Sequence, residues 1–135
     1  MEKEFMDSDG KVRRILVVDD EVDFCEMIRE FLSGNGFRVE VAYDGNEALS
    51  AYEKNRYDIV LLDFWMRGKN GLETLRALKG LDPKVNVIMI TAVLDRKLYR
   101  VVMAEGAFDY LTKPVNLEHL DLAIKTRLAL SDSMT

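Results

Sequence analysis

Four places in the chain hold residue types that can do chemistry together. Asp19-Asp20-Glu21 is a run of three acids. Asp63 follows an apolar stretch, Thr91-Ala92 closes another, and Thr112-Lys113-Pro114 follows the weaker run Tyr110-Leu111. Carboxylates are oxygen ligands for hard divalent cations, and lysine and threonine bind anionic oxygens. If folding gathers these residues, the acids repel: two unit charges about 4 Å apart cost about 4 kcal/mol at an effective dielectric of about 20. Lys113 can supply one positive charge, and a divalent cation is the natural further partner. So few carboxylates favour Mg²⁺, which keeps positions open for water and phosphate oxygens, over a calcium cage. A cation beside a hydroxyl and an ammonium makes a site for a phosphoryl group. Asp63 is then a candidate nucleophile that would form an acyl phosphate.

What must position these residues is a set of short apolar runs. Ile15-Leu16-Val17-Val18, Ile59-Val60-Leu61-Leu62 and the stretch 85–90 are continuous, which reads as strands covered on both faces. Arg38-Val39-Glu40-Val41-Ala42 alternates and reads as an edge strand. Helical patterns fall between them. Phe24, Met27, Ile28, Phe31 and Leu32 form one apolar stripe, stopped by Gly34-Asn35-Gly36. A second helix is expected over 46–55, after Asp44-Gly45. A third carries Leu72, Leu75 and Leu78 and closes at Gly80 and Asp82-Pro83. A fourth spans 95–105 with Leu98, Val101 and Val102 inward. A fifth carries Leu117, Leu120, Ile124 and Leu128.

Strict alternation of strand and helix predicts an α/β domain with right-handed crossovers. Its spacing suits a flavodoxin-like, doubly wound parallel sheet of five strands in the order 2-1-3-4-5, with five helices. Ligands of such sheets sit beyond the carboxyl ends of the strands. Strands 1, 3, 4 and 5 are then neighbours about 4.8 Å apart, so the acids, the hydroxyl and the lysine converge on one crevice. The domain is placed at residues 12–130, with 1–11 and 131–135 read as tails.

The chain has 135 residues, 48% apolar and 32% charged, with 19 basic against 24 acidic side chains and a net charge of −5. One domain is expected at this length. The acidic balance argues against direct nucleic-acid binding, which rewards Lys and Arg. The single Cys25 leaves no partner for an internal disulfide or a cysteine zinc site. No apolar run approaches the ~20 residues of a membrane span, and the start lacks a signal-peptide pattern. A cytoplasmic protein without membrane insertion is the expectation.

Each candidate also has a plainer reading. Asp19-Asp20 can be helix-capping acids, Asp63 a strand-end turn residue, Thr91 an ordinary strand residue and Lys113 a solvated lysine. Tyr110 can be a core aromatic, and Trp65 an incidental exposed side chain of its loop. Cys25 reads as an inert small hydrophobe. What favours a site is the whole set, in order, at four strand ends.

The same residues resemble the receiver domain of bacterial two-component response regulators. The matching pieces are Val17-Val18-Asp19-Asp20-Glu21, Asp58 through Asp63, Met66 with Gly71, Ile90-Thr91-Ala92, Gly106-Ala107-Phe108-Asp109-Tyr110-Leu111 and Lys113-Pro114. They cover about residues 12 to 130. The resemblance implies that Asp63 accepts a phosphoryl group from a phosphohistidine of a sensor histidine kinase or phosphotransfer protein. It implies Mg²⁺ held by Asp20, Asp63 and the backbone carbonyl of Trp65, with Asp19 acting through water. Thr91 and the Ala92 amide would bind the phosphoryl oxygens, and Lys113 would bridge to them. Tyr110 would follow Thr91 as a rotamer switch, and the Lys113-Pro114 bond would be cis. The surface of helix 4, strand 5 and helix 5 would then be read by an output protein or an attached effector domain. His119, the only histidine, reads as a helix-surface residue, so the phosphodonor comes from another molecule.

Two departures from the family pattern stand out. Arg67 replaces the proline usual after the methionine, which predicts a looser loop. Trp65 and Val93 are bulky where they flank the path of an attacking water, which predicts a long-lived phosphoryl state. Three other functions fit parts of the pattern. A phosphorylation-independent interaction module would leave the acidic cluster without a task. An aspartyl-phosphate phosphatase would want an acid where Trp65 stands. A flavin site of similar topology would want a phosphate-cradling loop where Asp19-Asp20-Glu21 repels phosphate.

Overall fold

The structure, a computed structural model, describes residues 6–7, 9–66, 70–93 and 95–133. Five strands alternate with five helices: β1 Arg14–Val18, α1 Val22–Gly34, β2 Arg38–Ala42, α2 Gly45–Lys54, β3 Ile59–Leu62, α3 Gly71–Leu81, β4 Val87–Thr91, α4 Arg96–Ala104, β5 Asp109–Thr112 and α5 Leu117–Ser133. The strands pair in parallel in the order β2-β1-β3-β4-β5, as the alternation predicted.

Continuous apolar runs make sense because each strand feeds two cores. Ile15, Val17, Ile59, Leu61, Ile88 and Ile90 pack on one face with Ile28 and Leu32 of α1 and Leu120, Ile124 and Leu128 of α5. Leu16, Val18, Val60, Leu62, Val87 and Met89 pack on the other with Ala48 and Tyr52 of α2, Leu75 and Leu78 of α3 and Val102 of α4. Successive residues of a strand point to opposite faces, so both sets are buried at once. β2 is one edge strand and β5 the other; Glu40 is held on β2 by Arg14 at 2.7 Å and by the Tyr57 hydroxyl at 2.8 Å.

α2, α3 and α4 start where side chains satisfy free backbone amides, whereas the N-cap of α1, Glu21, makes no such side-chain bond. Asp44 accepts from the Glu47 amide, Asp95 from that of Lys97, and Asn70 and Glu73 form a reciprocal capping box. Gly71 opens α3 against the end of β3. A Cβ there would lie 2.5 Å from the Asp63 carbonyl oxygen and from the Phe64 Cα, so no side chain fits.

Several details differ from the sequence reading. Met27 is 44% exposed and Val101 38%, although both were placed inward. Each sits one residue from a buried position, Ile28 and Val102, and one residue is a rotation of about 100° on a helix. Gly80 lies inside α3, which continues to Leu81 and stops ahead of Pro83. α2 begins at Gly45, one residue early. Residues 131–133 belong to α5 rather than a tail. Polar contacts hold this last turn: Asp132 pairs with buried Arg13, and the Asn86 amide donates to the Ser131 hydroxyl at 3.3 Å. Apolar periodicity does not register contacts of that kind.

Candidate functional site

The carboxyl ends of β1, β3, β4 and β5 lie side by side, so the residues that follow them meet at one edge. Asp19 extends the β1 ladder, its amide donating to the Ala42 carbonyl at 3.1 Å. The Asp63 amide donates to Val18 at 3.0 Å and that of Lys113 to Thr91 at 2.9 Å. Backbone pairing therefore fixes where three of the functional side chains begin.

Asp19 is 1% exposed and Asp63 6%, while Asp20 is half-buried. One carboxylate oxygen from each lies within 4.8 Å of the others. Lys113 reaches over them, its Nζ donating to Asp19 Oδ2 and Glu21 Oε1, both at 2.7 Å, and standing 3.6 Å from Asp63 Oδ2. The ammonium also lies 4.2 Å from the centre of the Phe24 ring. Thr91 is fully buried at the end of β4, and its hydroxyl accepts from the Val93 amide at 3.3 Å. Asp63 Oδ1 is buried without a hydrogen-bond partner among the described residues.

Burial sets the electrostatics. It pushes the Asp63 carboxyl above the ordinary aspartate range, against the pull of the Lys113 charge, the Thr91 hydroxyl and the amides of Phe64 and Trp65. Burial raises Asp19 as well, against the hydrogen bonds from Lys113 and the Glu21 amide, and the Asp63 charge adds to the rise. Burial alone would lower Lys113, but the hydrogen bonds to Asp19 and Glu21 outweigh it and hold the ammonium protonated. One cation thus faces more negative charge than it can neutralise.

The donor set suits Mg²⁺. It offers hard carboxylate oxygens, few in number, one of them an orphaned buried atom that a cation would satisfy. Residues from four strand ends meet here, as the sequence placed them. Trp65 follows Asp63 on the same loop; its ring is 61% exposed and meets the Phe64 ring edge-on at 4.8 Å. Ala92 is exposed just past β4. Tyr110 lies on β5, its hydroxyl donating to the Val93 carbonyl and its ring edge-on to Tyr99 at 5.6 Å. The Lys113-Pro114 bond is cis. Arg67 lies outside the described residues.

Three contacts were not assigned by the sequence reading, although it named Glu21 among the acids after β1. Glu21 shares Lys113 with Asp19, Phe24 floors the ammonium, and the Cys25 thiol donates to the Asp19 carbonyl at 3.2 Å. Helical spacing carried a signal for two of them: Phe24 and Cys25 lie in the first turn of α1, just after Asp19. Burial pushes the Cys25 thiol up to about 12, so it stays protonated as core.

A five-stranded parallel sheet in this order, with acids and a lysine at its carboxyl edge, defines the CheY-like flavodoxin arrangement. The sequence profile of the response regulator receiver domain matches residues 15–125, and the chain belongs to that family. It is 35% identical over 120 residues to the transcriptional regulatory protein ZraR of Salmonella typhimurium, covering 89% of this chain and 27% of that one. It is 38% identical over 120 residues to the DNA-binding response regulator MtrA of Mycolicibacterium paratuberculosis, covering 89% of this chain and 53% of that one. The chain therefore spans between a quarter and a half of these relatives. Among solved structures, a chain of the CheX-CheY-BeF3-Mg²⁺ complex from Borrelia burgdorferi superposes with a TM-score of 0.85 at 27% identity, over 90% of this chain and 93% of that one. No helix among the described residues is long and apolar enough to cross a membrane.

Proposed function

We propose that this receiver domain is a Mg²⁺-dependent switch that takes a phosphoryl group onto Asp63. The observation that carries the reading is Asp63 Oδ1, buried and without a partner, beside two further carboxylates and one lysine. An acid held this way is ready to take a cation and an electrophile. The donor would be a phosphohistidine on a sensor histidine kinase or phosphotransfer protein. An Asp63 oxygen attacks phosphorus, the P–N bond breaks, and the imidazole leaves with its electron pair and takes a proton from solvent.

Bound Mg²⁺ would supply charge neutralisation for the phosphoryl oxygens, held by Asp20, Asp63 and the Trp65 carbonyl, with Asp19 acting through water. Lys113 pairs with Asp19 and stands close enough to Asp63 to pair with a phosphoryl oxygen. Thr91 and the Ala92 amide donate to the remaining oxygens. Turning the Thr91 hydroxyl toward the phosphoryl group releases the Val93 amide it now accepts from. Val93 also receives the Tyr110 hydroxyl, so the change passes to β5. The surface of α4, β5 and α5 is then biased between two arrangements that an output protein or attached effector can tell apart. The domain catalyses only its own phosphorylation and dephosphorylation, in the cytoplasm, and occupies about residues 12–130 of the chain.

Incubation with acetyl phosphate and Mg²⁺, followed by intact mass measurement, tests this. A gain of one phosphoryl group is expected, absent in Asp63→Asn and in EDTA. No gain in the wild type overturns the reading.

A further inference from the structure

Resting on that reading, we infer that the face read by the output partner takes an acidic segment carrying an apolar anchor. The outer side of α4 carries three exposed cations, Arg96, Lys97 and Arg100. Among the described residues none of the three has an ion-pair partner. Elsewhere on the described surface, arginines are mostly engaged: Arg14 with Glu40, Arg29 with Glu26, Arg56 with Asp82 and Arg76 with Glu105. A chain of net charge −5 thus keeps a cluster of unneutralised positive charge on one helix turn.

That cluster borders a groove of about 510 Å³ lined by Asp95, Arg96, Tyr99, Tyr110 and Thr112. Its acid is already engaged, since Asp95 accepts from the amides of Lys97 and Leu98 to cap α4. The walls are two aromatic rings in edge contact, with Tyr99 47% exposed, and Val101 stands 38% exposed on the same helix. A second groove, of about 270 Å³, shares Tyr110 and Thr112 and continues toward Pro114 and His119. One trough therefore crosses β5, with a positive rim at the α4 end. An aromatic or leucine side chain fits the Tyr99–Tyr110 groove, and acidic neighbours reach Arg96 and Arg100. Nucleic acid is a poor match, because three cations on a net-acidic domain give little phosphate neutralisation and the concave aromatic walls favour a side-chain anchor. The groove touches Tyr110, whose hydroxyl is tied to Val93 two residues past Thr91, which connects this face to the site.

The test selects a random dodecapeptide library, displayed on phage, against the full chain with and without acetyl phosphate and Mg²⁺. Enrichment of net-acidic peptides with an aromatic or leucine is expected. Binding should weaken at least about tenfold in Arg96→Glu/Lys97→Glu/Arg100→Glu, and also on raising salt. A glutamine triple variant at the same positions serves if circular dichroism shows the first unfolded. Enriched peptides without acidic bias, or binding indifferent to both variants, overturn the inference. So does phosphorylation-dependent self-association lost in the variants, or tighter binding of a 20-base-pair random duplex than of the peptides. Intact mass read in parallel separates the two claims: an unphosphorylated wild type sinks the proposed function, whereas peptide charge preference is read on either form.

Discussion

The two ends of the sheet handle charge in opposite ways. At the amino end, Arg13 is 5% exposed and pairs with Asp58 at 3.3 Å and with Asp132. Arg14 pairs with Glu40 at 2.7 Å. Each of these acids has an arginine, and the network ties α5 to β1 and β3. At the carboxyl end, Lys113 is shared among Asp19, Glu21 and Asp63, and Asp63 Oδ1 is left over. Two arginines against three partly exposed acids tie elements together, whereas one lysine against Glu21 and two buried carboxylates stores a demand for a cation. The two networks are similar in size and differ in what is left over: the Nε donors of Arg13 and Arg14 at the amino end, a carboxylate oxygen of Asp63 at the carboxyl end.

Substitutions should separate them. The largest effect is expected for Lys113→Ala, which removes the one cation that the described residues place beside Asp63. Its phosphorylation by acetyl phosphate should slow by about a hundredfold, in line with losing one charge-stabilising donor. Rates from intact mass time courses check this, and an unchanged rate would make Lys113 structural. Arg13→Ala should do the converse. Breaking a buried pair costs 3–5 kcal/mol, and partial exposure of Asp58 and Asp132 reduces that to about 2 kcal/mol. Urea unfolding reads the loss, while the phosphorylation rate should stay within about twofold, well under the tenfold of 1.4 kcal/mol.

The next effect is smaller and depends on pH. Burial raises Asp19 and Asp63 above their unfolded values, so both bind protons more tightly when folded. Their stabilising contribution is full below the unfolded aspartate pKa and is lost as pH rises through the folded values. Without Mg²⁺, the unfolding temperature should therefore fall over that interval, and saturating Mg²⁺ should flatten the fall. Asp63→Asn should be more stable than wild type in EDTA, by about 1 kcal/mol, since it relieves like-charge crowding. A wild type indifferent to Mg²⁺ would contradict a cation demand. The smallest effect expected is for Trp65→Asn, which opens the side from which water approaches. Loss of phosphate should speed several-fold, and an unchanged or slower loss would remove Trp65 from the barrier.

Fold and site were legible to different depths. Continuous apolar runs such as Ile15–Val18 and Ile59–Leu62 fit a sheet covered on both faces, and their alternation with amphipathic helices made the architecture legible. The positions of Asp19, Asp63, Thr91 and Lys113 were legible because each ends or directly follows a strand, where backbone pairing leaves little freedom. The roles of Glu21 and Phe24 were not, because they depend on the course Lys113 takes across the crevice. The end of α5 was missed because Arg13 and Asp132 are 119 positions apart in the chain. Met27 and Val101 were misplaced because an apolar residue flanking a buried stripe looks the same in sequence as one within it.

The central claim is that the leftover carboxylate at the unbalanced end is the one that carries phosphate. Reduction of the acetyl-phosphate-treated protein with borohydride converts an aspartyl phosphate to homoserine, which peptide mapping locates. The account predicts homoserine at position 63 and only in samples that contained Mg²⁺. Homoserine at position 19 or 20, or none in a sample that gained phosphoryl mass, would contradict it.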